Sequence, residues 1–113
     1  MNVVPLESLT ASRFSELAGT RFRVATSARA AVELELTKII PGGIQARGGA
    51  EVAQYESFAL VFQGDQSVAI PQGTYLFEHA QVGRFELFIV PIAANQGRVH
   101  YQAVFNRVVK TES

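Results

Sequence analysis

Arg21-Phe22-Arg23-Val24 and, after a short gap, Val32-Glu33-Leu34-Glu35-Leu36 are the stretches whose reading decides the fold. Apolar and charged residues alternate in both, the period of a β-strand with one buried and one wet face. If the two pair as a hairpin, keeping both apolar sets on one face requires an odd-numbered connection, because a one-residue slip turns every side chain over. A loop of about three or five residues centred on Ala28-Arg29 meets that condition. It sets Arg23 opposite Glu33 or Glu35 on the solvent face, a pairing worth only about 0.2–1 kcal/mol.

The same period recurs along the chain. Phe58, Leu60 and Phe62 mark one inward face; Tyr75, Phe77 and His79 the next; then Phe85, Leu87 and Ile89, and Tyr101, Ala103 and Phe105. Odd-numbered residues hold one face through the last three sets, as a continuous meander requires, with turns at Pro71-Gln72-Gly73 and Asn95-Gln96-Gly97. Phe62 and Tyr75 differ in parity, so the chain bulges or crosses between sheets near residues 64–73. Pro41-Gly42-Gly43 and Arg47-Gly48-Gly49 predict a flexible surface loop over about 41–55.

Before Thr20 the period is helical. Leu6, Leu9, Phe14 and Leu17 predict a short helix over about 10–18 lying across one end of the β core. Ser8 and Thr10 are its candidate N-caps, and Gly19 is its stop. The fold expected is mainly β: one domain over residues 1–113 with a frayed tail at 110–113. It is a compact antiparallel β-sandwich or partly open β-barrel of about six or seven strands, with one short N-terminal helix.

Composition removes several kinds of chemistry. The 113 residues contain no cysteine, so there is no disulfide framework, thiolate metal cluster or thiol nucleophile. Ten basic residues balance ten acidic ones, which argues against electrostatic binding to nucleic acid. No Gly-x-Ser-x-Gly elbow accompanies the two histidines and the single aspartate, Asp65, so a hydrolytic triad is not expected. Glu78 and His79 are adjacent and point to opposite faces of a strand, and His100 opposes Tyr101, so no metal site is expected. Glu33, Glu35, Glu78 and Glu86 fall on the solvent parity, and neither glycine cluster has the Lys-Ser/Thr of a phosphate loop. No cofactor is implied. His79 itself reads as a core-edge residue whose ring bonds a backbone carbonyl or Asn106.

One feature points outward. Phe88, Val90 and Ile92 lie opposite the inward set of their strand, and Val104 and Val108 do the same on the last strand. With Leu76 they form a second apolar face. Either the helix and the 41–55 loop cover it, or it is an interface for another subunit or partner.

Leu6-Glu7-Ser8-Leu9-Thr10, Glu56-Ser57-Phe58-Ala59-Leu60-Val61-Phe62-Gln63-Gly64, Pro71-Gln72-Gly73-Thr74-Tyr75 and Phe88-Ile89-Val90-Pro91 carry a further pattern. Together they resemble a family of short bacterial all-β proteins catalogued as a domain of unknown function. The resemblance spans nearly the whole chain and implies no activity. It implies a place beside phage-tail-collar-type fibre proteins, in a tail-like or fibrous assembly. The expected function is therefore a non-enzymatic structural or interaction domain that self-associates or binds a bacterial protein partner, without nucleic acid or membrane insertion. The alternatives are a small-ligand barrel using Tyr75, His79, Tyr101 and Asn106, and an enzyme using His79. Met1-Asn2-Val3-Val4-Pro5 lacks a basic region leading into an apolar stretch, which predicts cytoplasmic residence, with export by a dedicated system left open.

Overall fold

The alternation that begins at Arg21 becomes strand β1 (Arg21–Ala25), which turns through residues 26–30 into β2 (Ala31–Arg47). Arg23 stands opposite Glu33 and Val24 opposite Val32. The odd-numbered connection thus keeps Phe22, Val24, Leu34 and Leu36 buried together. The computed structural model describes residues 9–47 and 53–109. Its remaining strands are β3 (Ala53–Asp65), β4 (Gly73–His79), β5 (Gly83–Asn95) and β6 (Arg98–Val109).

The six strands form one closed antiparallel ring in the order β1-β2-β3-β6-β5-β4. Two meanders, β1-β2-β3 and β4-β5-β6, meet along two seams. The long seam pairs β3 with β6 from Gln54↔Val109 to Asp65↔Arg98. The short one pairs β1 with β4 through Arg23↔Glu78, Val24↔Phe77 and Ala25↔Leu76. A 3₁₀ turn at Gln66–Val68 starts the crossing from β3 to β4, which is not its neighbour. This crossing accounts for the parity change between Phe62 and Tyr75: the chain changes walls within one ring. The β5–β6 hairpin closes at Gln96-Gly97, both with positive φ (52° and 79°), the backbone of a tight two-residue turn.

The expected loop over 41–55 is corrected in large part. β2 runs on to Arg47 and β3 begins at Ala53, with Gly43 opposite Ser57 and Arg47 opposite Ala53. Pro41-Gly42-Gly43 is instead the site of a register shift between Pro41 and Gly43. A Cβ on Gly42 would sit 2.8 Å from the Ser57 carbonyl oxygen, so glycine here permits close approach of two backbones in a bulged strand. Residues 48–52 and the tail 110–113 lie outside the described residues.

The helix is shorter than expected. α1 covers Ala11–Ser15, with Thr10 as N-cap, its Oγ1 accepting from the Arg13 N–H at 3.1 Å. The other candidate cap, Ser8, lies outside the described residues. The chain then turns through Gly19 (φ 84°), whose N–H donates to the Leu36 carbonyl at 2.7 Å. Five residues cannot hold a helix by themselves in water; packing does it. The ring of Phe14 is fully buried, 5.5 Å from Phe105, 6.1 Å from Phe85 and 6.2 Å from Phe58. The β5–β6 ladder extends only from Val90↔Gln102 to Asn95↔Arg98. Phe14 fills the space beyond, where the strands carrying Phe85 and Phe105 are no longer paired. The helix therefore plugs one end of the barrel.

Candidate functional site

Charge and apolar surface divide the outside of the ring between them. Across β2, β1, β4 and β5 the register aligns Glu33, Arg23, Glu78 and Arg84 in one row of alternating sign. Glu78 is bonded to Arg84 and lies 3.6 Å from Arg23, while Arg21 reaches Glu33 at 3.5 Å. This row exists because each of these strands turns its odd or even charged set outward against an opposite set next door. The pairs are a third or more exposed, so each is worth no more than about 1 kcal/mol. Glu78→Gln is accordingly expected to lower stability by about 1 kcal/mol or less, as read from the urea midpoint. A cleft of about 420 Å³ runs along the row and reaches His79.

His79 is held at both ring nitrogens. The Gln81 N–H donates to Nδ1 at 3.1 Å, and Nε2 lies 2.9 Å from Thr20 Oγ1. The Thr20 hydroxyl in turn donates to the Leu17 carbonyl at 2.6 Å. Gln81 leaves Nδ1 without a proton, so the bond to Thr20 is an Nε2–H donation and the ring is neutral. Its centroid is 4.5 Å from that of Phe22. Partial burial pushes the His79 pKa below the ordinary imidazole value, and the charge of Arg13 adds to this. The expected partners, a backbone carbonyl or Asn106, are replaced by Thr20 and Gln81. Both ring nitrogens are thus engaged within the protein, and the ring ties the turn after β4 to Thr20.

The four residues expected at one barrel mouth are not gathered there. Tyr75 OH donates to the Pro71 carbonyl at 2.7 Å, and Tyr101 OH accepts from the Ile70 N–H at 3.0 Å. Both tyrosines thus secure the crossing between β3 and β4. His79 lies at the other end of β4, and Asn106 holds a register position opposite Ser57 on β3, its side chain outside the described residues. The interior is filled by buried Phe22, Phe58, Phe62, Phe77, Phe85 and Tyr101 with their aliphatic neighbours. A second cleft, about 380 Å³, is also external and includes Asp65 and Arg98. Bonds from the backbone and hydroxyl of Ser67 hold the Asp65 pKa below its ordinary value, so this carboxylate caps the 3₁₀ turn. Among the described residues no three of His, Cys, Asp and Glu come together as a metal site.

The outward apolar residues lie farther along two of the same strands, after Arg84 on β5 and after Glu33 on β2, and on β6. Val104 is 64% exposed, Phe88 and Ile92 are each 50% exposed, and Val90 is half-buried beside Gln102. Register places Val104 opposite Ala59 and Ala59 opposite Ile40, itself 42% exposed. α1, at the barrel end, does not cover them. Ile40 was not among the residues expected here. Its outward phase depends on the register shift between Leu36 and Lys38, and the adjacent pair Ile39-Ile40 is the one sequence sign that some isoleucine must face out. Leu76 belongs elsewhere: opposite Glu86 and Ala25, it borders the charged row. Val108 stands opposite Tyr55, and its side chain lies outside the described residues.

Residues 9–105 match a family described as a domain of unknown function (DUF6916). No curated protein and no solved structure matches the chain. Among the described residues no helix is long and apolar enough to cross a membrane.

Proposed function

We propose, from the premise that the chain belongs to the DUF6916 domain family, that the barrel is a non-enzymatic module working by self-association through its apolar outer wall. The observation that carries this reading is the exposure of Val104 on β6, Phe88 and Ile92 on β5, and Ile40 on β2, all outside the charged row. Large exposed apolar residues scattered singly need no explanation. A concentration of them on β2, β6 and β5, beside a row whose charges are already paired, is the usual mark of a surface meant to be covered. The setting we infer is a homo-oligomeric assembly of a tail-like or fibrous bacterial kind, in which the charged row stays in water. His79 and the two tyrosines serve the fold in this reading.

Light scattering across a concentration series tests it. The wild-type chain is expected to show a mass that is a multiple of 12.3 kDa, and Phe88→Glu with Val104→Glu to return it to monomer with its far-ultraviolet circular dichroism unchanged. A wild-type protein that stays monomeric up to millimolar concentration would overturn the reading.

A further inference from the structure

The α1 plug is fastened to the barrel at few polar points, and two of them converge on the turn after β4. The Thr20 hydroxyl, just beyond the helix, takes the proton side of His79. An Arg13 guanidinium nitrogen on α1 donates to the Gln81 carbonyl at 2.9 Å, while the N–H of the same Gln81 donates to His79 Nδ1. The Gln81 peptide that Arg13 grips is therefore oriented by Nδ1 while that nitrogen has a free lone pair, alongside the Val82 N–H bond to the His79 carbonyl at 3.2 Å. We infer that His79 is a proton-released latch: protonation at Nδ1 frees the 79–82 turn and loosens the α1 plug while the six-stranded ring stays intact.

Protonation changes the local chemistry in three ways. Nδ1 becomes a donor facing the donor N–H of Gln81, so that bond is lost. The new imidazolium faces Arg13, whose guanidinium already pairs with Glu16 at 2.9 Å. It also rests on Phe22 in a partly buried site. The other charged groups around it are Arg21 and Arg23 on β1, Glu33 on β2, Glu78 on β4 and Arg84 on β5, all lining the shared cleft. The carboxylates among them are already engaged, Glu78 with Arg84 and Arg23, and Glu33 with Arg21. Nothing in that set welcomes an added proton. Because the folded state favours the neutral ring, the latch is complete above the ordinary imidazole value of 6.5 and is lost as pH falls through the lower, folded value.

What loosens is specific. Phe14 and Leu17, both fully buried, are the apolar face of the plug, and behind them stand Phe58, Phe85 and Phe105. The β3–β6 and β2–β3 ladders do not pass through His79. Local opening thus exposes the plugged end without dismantling the ring, as an element of low local stability permits.

Amide hydrogen exchange of the full chain across the acidic range, read residue by residue, tests the latch alongside the imidazole resonances of His79. Protection at Gln81, Phe14 and Leu17 is expected to fall by roughly five- to tenfold, the worth of about one hydrogen bond, in step with His79 protonation, while Leu60 and Phe62 stay protected. His79→Asn retains an acceptor for the Gln81 N–H but cannot titrate, and is expected to abolish the step; His100→Asn is expected to leave it in place. If the step persists in His79→Asn, or if wild-type His79 titrates without any change at Gln81 and Phe14, the latch is wrong. The wild-type comparison stands even if the variant does not fold. None of these readouts depends on whether the apolar wall self-associates.

Discussion

Replacing Phe14 by alanine is expected to lower the unfolding free energy by about 3–5 kcal/mol, the range for a fully buried phenylalanine. The reason is positional as much as chemical. Phe14 contributes its ring to a cluster with Phe58, Phe85 and Phe105, at the end of the barrel where β5 and β6 are no longer paired. Truncation leaves a void that the strands cannot close without moving toward each other. It also removes the main apolar anchor of a five-residue helix that cannot persist unaided. Set against a total stability of about 5–15 kcal/mol for a domain of this kind, the loss is large. Urea denaturation at neutral pH measures it, and a change under about 1 kcal/mol would show that the helix is an ornament rather than a plug.

Tyr101→Phe is expected to lower stability by about 1–3 kcal/mol through a different mechanism. The tyrosine is buried and its hydroxyl accepts the N–H of Ile70, itself buried. Removing one oxygen leaves the ring in place and orphans a backbone donor away from water, where the full desolvation penalty of that group is felt. Tyr75→Phe is the internal comparison. Its hydroxyl bonds the Pro71 carbonyl in an exposed position, so water replaces the lost partner and the change is expected to stay below about 1 kcal/mol. Equal effects at the two tyrosines would contradict the role assigned to Tyr101 at the crossing between β3 and β4.

The local parts of this fold are legible in the residues. Alternation in Arg21–Val24 and Val32–Leu36 leads to the odd-numbered connection and the Arg23–Glu33 register. The run of odd-numbered apolar residues from Phe77 to Phe105 leads to the buried faces of β4, β5 and β6. Pro41-Gly42-Gly43 reads as a break and is a bulge, because glycine serves both ends: it relaxes a loop, and it lets a second backbone approach a strand. Only the presence of Ser57 beside Gly42 distinguishes the two. Ring closure is not legible at all. The β1–β4 seam joins residues about fifty apart in the chain, such as Val24 and Phe77, and no periodicity encodes which edges meet. The candidate site inherits that limit. His79 is visible as a residue at the edge of a core, but Thr20 becomes its partner only after β1 has met β4. The outward apolar set is half legible: Phe88, Ile92 and Val104 follow from parity, whereas Ile40 requires a register shift, and Leu76 joins the border of the charged row once the strand order is known.

That order has a consequence for how the chain is made. β6, the last of the six barrel strands in chain order, lies between β3 and β5. Until it emerges, β3 is paired only with β2 and β5 only with β4, and each offers a long unsatisfied edge. A nascent chain that has not yet reached Arg98 therefore holds an open sheet in the order β3-β2-β1-β4-β5, whose two edges are templates for pairing with other chains. Synthesis completes the domain by inserting its final strand like a keystone. A message truncated just before it would yield the most aggregation-prone form of this protein.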